Sequence, residues 1–289
     1  MRKYEPLYEA VRPEPSERRK QFKFTAPQDG QLFYKFQIPN LNSLYTLSQE
    51  YFWFSIKNEL NDPHELKVKA QDDASDEEIK KWAQWLCDEG EYGLIGNKEN
   101  LNNILNNLNG EIEQARSYWI RSINQNIDQV KNIKIFCASE KYSSPTMWSH
   151  YTANHTGWAI GFDSLRVFNN FPPDAWFKVR YKQDVPEFGL EELFGDMEYQ
   201  HKLFATKFDE WEYEQEWRCA QSTEHRAISI NTEAVKCIIF GMHCDESTKL
   251  LVSKLTKDWD IEYFDAKPCE DRYELCLEKS STVMSNSDS

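Results

Sequence analysis

An α+β fold is predicted for this chain by three features of its sequence. Short runs of aromatic and β-branched residues, such as Leu32-Phe33-Tyr34-Lys35-Phe36 and Val235-Lys236-Cys237-Ile238-Ile239-Phe240, recur along it and read as strands. Helical periodicity occurs between them, in segments of unequal length. The two never settle into the regular alternation of parallel βαβ units.

In chain order, residues 1–30 are rich in charge and proline (Pro13, Pro15, Pro27) and close on Gln28-Asp29-Gly30, which has turn chemistry; an extended arm is expected. A strand over 32–36, a short helix over 38–49 and a second strand over 51–55 follow. They lead to Asn61-Asp62-Pro63, where Asn and Asp bond their own backbone and Pro forbids helix before it. At Ser75 the period changes. Ser75 and Glu78 form a capping box, Ile79, Trp82, Ala83 and Leu86 share one face until Gly90, and a further helical pattern runs over about 97–130. These helices read as an insertion at about 70–131.

Strands are expected at 133–139, 158–162 and 177–181, with Ser144-Pro145 opening a short helix that carries Met147, Trp148 and Tyr151. A helix over about 190–207 precedes strands at 216–220, 227–230 and 235–240. A helix near 246–259 and closing strands at 261–264 and 273–277 complete a single domain over 31–279, and the polar tail from 280 is expected to be disordered.

Composition narrows the function. The 10 Trp and 40% hydrophobic content argue against disorder over most of the 289 residues. A net charge of −14 repels a phosphate backbone, and the one basic stretch is 12–23. Nonspecific nucleic-acid binding is thereby disfavoured, while a local groove for a nucleic acid stays open. No apolar run approaches the ~20 residues that span a bilayer, so a cytoplasmic protein without membrane association is expected. The seven cysteines form no C-x-x-C pair and read as core residues, supporting neither a zinc site nor a disulfide framework, and their odd count fits a reducing compartment. Dinucleotide-binding, P-loop, nucleophile-elbow and zincin motifs are absent. His150 and His155, five apart, do not share a helix face, so no metal site is expected.

The densest chemistry lies in Trp211-Glu212-Tyr213-Glu214-Gln215-Glu216-Trp217-Arg218. Carboxylates among indole and phenol rings lose solvation and their pKa values rise, unless a neighbour such as Arg218 pulls them down.

This segment, together with Tyr34-Lys35-Phe36, Asn61-Asp62-Pro63, Phe136-Cys137-Ala138-Ser139, Met147-Trp148-Ser149-His150-Tyr151 and Gly161-Phe162-Asp163, resembles the successive motifs of a bacterial family of unknown function, over about 32–277. More distantly, the order of an aromatic-basic first strand, a Phe-Cys-x-Ser strand and a Glu-x-Glu at the start of a later strand is similar to ADP-ribosyltransferases. That resemblance implies a mixed or antiparallel β core with a helical insertion. It also implies NAD as substrate, with an action as NAD-dependent ADP-ribosyltransferase or NAD glycohydrolase in toxin action or phage defense. Glu216 would orient the ribose and stabilise the oxocarbenium ion, and Glu214 would polarise an acceptor, both being expected on one strand face. Tyr34 or Lys35 would hold NAD, Ser139 would support the nicotinamide side, Trp148 or Tyr151 would stack on a flat ring, and the loop at Asn61 and Asp62 would either donate hydrogen bonds to a ligand or cap the next element. His150 and Arg218 complete the candidate set. The acceptor, protein or nucleic acid, stays open, as does a neutralising or regulatory protein partner.

Each residue also has a structural reading: Trp148 and Tyr151 as core, Lys35 as an edge charge, Ser139 as a turn residue, His150 as a satisfied histidine, and Arg218 as the ion-pair partner of Glu216. The alternatives are a noncatalytic ligand- or partner-binding sensor module and a metal-dependent nuclease using Asp62, Glu214 and Glu216.

Overall fold

The computed structural model describes residues 25–71, 74–79, 116–117, 120–121, 124, 133–169, 171–189, 202–221 and 224–281. The chain divides into two compact units. One comprises Thr25–Glu65, Asn132–Gln183 and Phe204–Ser289, the other Met1–Phe24, Leu66–Lys131 and Asp184–Leu203.

The larger unit is built on an eight-stranded sheet. Its strands are β1 (Leu32–Gln37), β4 (Lys134–Ser139), β5 (Trp158–Asp163), β6 (Trp176–Lys178), β10 (Glu216–Gln221), β12 (Val235–Phe240), β13 (Glu262–Pro268) and β14 (Leu275–Lys279), in the order β14-β13-β12-β5-β1-β4-β10-β6. Every neighbouring pair is antiparallel except β12 and β13. That exception follows from the connection. Helix α3 (Glu246–Leu255), capped by the Asp245 carboxylate accepting from the Thr248 N–H at 2.9 Å, carries the chain back between the two strands.

Strand periodicity puts alternate side chains into two cores. Trp158, Ile160 and Phe162 of β5 enter one hydrophobic cluster and Ala159 the other; on β12, Ile238 and Phe240 divide from Cys237 and Ile239 in the same way. Leu47 of helix α1 (Leu41–Ser48) and Val252 of α3 pack into the first cluster, and Met147 and Trp148 of helix α2 (Pro145–Tyr151) into the second. Two smaller ladders flank the sheet: β2 (Tyr51–Trp53) is antiparallel to β11 (Ala227–Ser229), and β7 (Arg180–Lys182) is parallel to β9 (Thr206–Phe208).

In the other unit, β3 (Lys69–Ala70) and β8 (Glu187–Phe188) form a short parallel pair. The capping box is present there: the Ser75 N–H donates to Glu78 Oε2 at 2.7 Å and the Glu78 N–H to Ser75 Oγ at 3.3 Å. Most of the N-terminal arm, most of the helical insertion, residues 190–201 and the tail beyond 281 lie outside the described residues.

Two sequence expectations are corrected. The helix expected to run to Lys207 gives way to strand β9, which contains Lys207. Cys269 and Cys276 form a disulfide, because the β13–β14 pairing brings their Cα atoms to 5.2 Å; a spacing of seven residues carries no such signal.

One irregularity of the sheet positions everything that follows. β4 is paired along its whole length with β10, but with β1 at a single position, Tyr34 opposite Ser139. At the other end of the same edge Ser55, just beyond β2, exchanges two 2.8 Å hydrogen bonds with Ile135. Among the described residues, positions 136–138 of β4 have no strand partner on that side. The Cys137 carbonyl points into the gap, and there it accepts a hydrogen bond from Lys35 Nζ at 2.9 Å in place of one from a backbone N–H.

Candidate functional site

A cavity of about 190 Å³ occupies this gap between β1 and β4. Tyr34, Lys35 and Phe36 of β1 form one wall and Ile135, Cys137, Ala138 and Ser139 of β4 the other. Asn61 and Glu65 from the loop after β2, Tyr151 from α2, Lys207 from β9, and Glu214 and Glu216 close it.

The floor is an ion network. Lys207 Nζ lies 2.6 Å from Glu214 Oε2, 3.2 Å from Glu216 Oε2 and 3.2 Å from Glu65 Oε1. Arg218 grips Glu216 as a fork, Nε to Oε1 at 2.9 Å and Nη2 to Oε2 at 3.0 Å, and reaches Glu65 at 2.8 Å. All five side chains are buried. Their charges nearly cancel within a few ångströms, and this lets them stay ionised away from water.

The two acids at the centre are tuned in opposite directions. Burial raises the Glu216 pKa, but the Arg218 and Lys207 cations and the Cys137 thiol hydrogen bond outweigh it and hold the carboxyl well below the usual range. For Glu214, burial and the Glu216 charge outweigh Lys207 and push the group up to about 7. Its Oε1 accepts the Tyr151 hydroxyl, which in turn accepts from Asn61 Nδ2 at 2.6 Å. A carboxylate offers about four acceptor positions. Glu216 spends nearly all of them on Arg218, Lys207 and Cys137, whereas Glu214 has two engaged and the rest turned toward the cavity lining.

The cations differ as well. Burial would lower the Lys207 pKa, but Glu216, Glu65 and Glu214 hold it well above the ordinary lysine value. Lys35, half-buried with its ammonium 4.9 Å from the Phe136 ring centroid, is lowered by desolvation, partly offset by Cys137, Glu216 and Glu214. Tyr34 is pushed up to about 12, mainly by burial.

Of the residues nominated from sequence, Tyr34, Lys35, Asn61, Ser139, Tyr151, Glu214 and Glu216 line this one cavity. Arg218 stands behind it, paired with Glu216. The others are elsewhere. Trp148 is fully buried, donates Nε1–H to the Tyr142 carbonyl at 2.7 Å and packs edge-on to Phe36, so it presents no face to a ligand. Asp62 spends its carboxylate on the His64 N–H at 2.8 Å, a turn contact, and His150 pairs with the Tyr213 hydroxyl at 2.9 Å. Ser139 does face the lining, yet its hydroxyl donates to the Glu214 carbonyl at 2.6 Å and holds that segment against β4.

The expectation that Glu214 and Glu216 share a strand face is also corrected. Glu214 ends a 3₁₀ turn (Asp209–Glu214), and Gln215, at φ 46°, reverses the chain before β10 begins. The acids meet because both reach Lys207. Sequence reasoning missed Glu65 and Lys207, whose only local mark is an unremarkable loop and strand. Among the described residues no group of three or more His, Cys, Asp or Glu side chains is arranged to hold a metal ion; Glu65, Glu214 and Glu216 converge on an ammonium.

Residues 147–219 match the model of a family described as "Protein of unknown function (DUF2971)". The matched span runs from α2 into β10 and contains Tyr151, Lys207, Glu214, Glu216 and Arg218. No curated protein and no solved structure matches the chain.

Proposed function

We propose that this cavity cleaves the nicotinamide glycosidic bond of NAD and passes the ADP-ribosyl group to water or to an acceptor nucleophile. The observation that carries the proposal is the convergence of Tyr34, Lys35, Glu214 and Glu216 on a single cavity opened by a split between two strands. Residues from two distant stretches of chain meet there, and two of them are acids whose proton affinities are shifted in opposite directions.

The chemistry uses that difference. The bond between ribose C1′ and the pyridinium nitrogen breaks with its electron pair going to nitrogen, so neutral nicotinamide leaves and an oxocarbenium ion remains. Glu216, kept anionic by Arg218, stabilises that cation electrostatically in a site with little water. As water or the acceptor adds to C1′, its proton passes to Glu214, whose pKa near 7 suits it to accept and release protons at neutral pH.

A second reading, a noncatalytic module that binds the same ligand, is favoured by the saturation of Glu216 with Arg218 and Lys207. One experiment separates them. Purified protein is incubated with NAD, with and without cell lysate, and nicotinamide release and ADP-ribose adducts are followed by chromatography and mass spectrometry. Release by the wild type that is lost in folded Glu214→Gln and Glu216→Gln variants supports the reaction. NAD bound but not cleaved under both conditions points to the binding module, and neither binding nor cleavage overturns both.

A further inference from the structure

The small cavity is not isolated. A groove of about 460 Å³ shares Lys35, Phe36, Ser55 and Tyr151 with it and continues outward past Tyr45, Tyr51 and Trp53. Two of these rings are exposed in a way that aromatic side chains of a folded core are not: Tyr45 is 60% and Trp53 45% accessible. Trp53 is nevertheless held in place. Its backbone pairs with Ala227, and the Arg226 guanidinium lies 4.4 Å from its ring centroid. Arg226 is itself anchored, donating to the Phe54 carbonyl at 3.1 Å and to Glu59. The indole is a fixed platform.

Charge is sorted along the path. The inner cavity carries Glu65, Glu214 and Glu216 already paired with Lys207, while at the neck Lys35 makes no ion pair with any described residue and donates only to a carbonyl. On the groove wall the carboxamides of Gln37 and Asn42 have no side-chain hydrogen-bond partner among the described residues. Carboxamides offer both a donor and an acceptor, the pattern needed to read the edge of a nucleobase.

An unpaired ammonium at the neck and a flat aromatic ledge with unspent amides outside it match a ligand with an anionic middle and a planar heterocycle. We propose that the outer groove seats the purine nucleotide half of the substrate, the base against Trp53 and Tyr45 and its phosphates at Lys35. This rests on the reading of the inner cavity as the site of the nicotinamide end, and it adds where and how the rest of the dinucleotide is held.

The test measures binding separately from turnover. AMP, ADP-ribose and nicotinamide mononucleotide are titrated calorimetrically into the wild type and into Trp53→Ala and Tyr45→Ala, two exposed positions on different elements. Stacking on an aromatic ring predicts about tenfold weaker AMP and ADP-ribose binding in each variant, with the mononucleotide, which lacks the purine, changed by less than about twofold. Unchanged AMP and ADP-ribose affinity in both variants overturns the assignment, as does a 5′-phosphorylated oligonucleotide that binds more tightly than ADP-ribose. Purine binding that weakens as stated in a protein that never cleaves NAD leaves the groove standing and removes the reaction. Cleavage with the same KM for NAD in wild type and both variants does the reverse.

Discussion

The Tyr151 hydroxyl donates its proton to Glu214, and the direction of that bond is fixed by a third residue. Asn61 Nδ2 can only donate, and it lies 2.6 Å from the same phenol oxygen, so the phenol proton is left to point at Glu214 Oε1. Glu214 therefore accepts hydrogen bonds from both sides, from Tyr151 and from Lys207, and both contacts favour its ionised form against the burial that opposes it.

Tyr151→Phe removes one of these donors while keeping the ring. The Glu214 pKa, about 7 with the bond in place, is expected to rise further, because burial and the Glu216 charge then act against fewer opposing contacts. The titration of Glu214, followed by NMR of the ¹³C-labelled carboxyl group, reads this directly. A midpoint that stays or falls in the variant would show that the Tyr151 bond does not stabilise the carboxylate.

Glu214 also imposes a pH dependence on stability. Its folded pKa of about 7 lies above the ordinary value of 4.5, so the native state binds more protons than the unfolded chain between those values. The contribution is fully present below about pH 4.5 and is lost as pH rises through 7. Glu216 has the opposite sign: held low by Arg218 and Lys207, it stabilises above pH 4.5, and that stability is lost as pH falls toward its depressed pKa. Urea unfolding from pH 4.5 to 8 should therefore show a decline in the wild type that is shallower in Glu214→Gln. Identical slopes in the two proteins would contradict the raised pKa.

Arg218 is the residue whose loss is least tolerable. It is fully buried and pairs with both Glu216 and Glu65, so Arg218→Ala leaves Glu65, Glu214 and Glu216 sharing the one remaining ammonium of Lys207 in a dry site. Removal of one partner from a buried ionic cluster costs about 3–5 kcal/mol. Arg218→Lys keeps the charge but not the fork, and its loss should be smaller. Chemical denaturation of the two variants tests the order, and a loss of under about 1 kcal/mol for Arg218→Ala would mean that the network is solvated.

What was readable in the sequence divides along the range of the forces involved. Strands such as β10 and β12 and the short helix opened by Ser144 are dictated by local pattern and capping, so residues 216–220 and 235–240 read correctly and Ser144 accepts from the Met147 N–H as expected. The αL residue Gln215 left no mark in a run of alternating aromatics and acids, and Glu214 was therefore placed on a strand. Glu65 and Lys207, separated by more than a hundred residues, become ion-pair neighbours only through tertiary packing that brings the loop after β2 to β9. For Trp148 the sequence offers both a stacking role and a place in the core, and the fully buried ring follows the core reading that its helical spacing supports.

Two glycines contrast a crowded position at the end of β12 with an open one before β1. A Cβ added to Gly241, just after β12, would lie 2.2 Å from the His155 carbonyl oxygen, a backbone atom in a turn where Ala153, Asn154 and His155 all have positive φ (50°, 56° and 67°). That turn is joined to the same segment by the His243 N–H to His155 carbonyl bond at 3.0 Å, so neither side can yield without losing pairing. Gly30 is the contrast: its φ of 74° favours glycine, but a Cβ there meets nothing within 4 Å. Gly30→Ala should cost about 1 kcal/mol from backbone conformation alone. Gly241→Ala should cost more, roughly 1–3 kcal/mol from forced displacement of the backbone. Parallel denaturation of both variants decides the point, and a Gly30→Ala loss equal to or larger than that of Gly241→Ala would show that the β12 end has room to move.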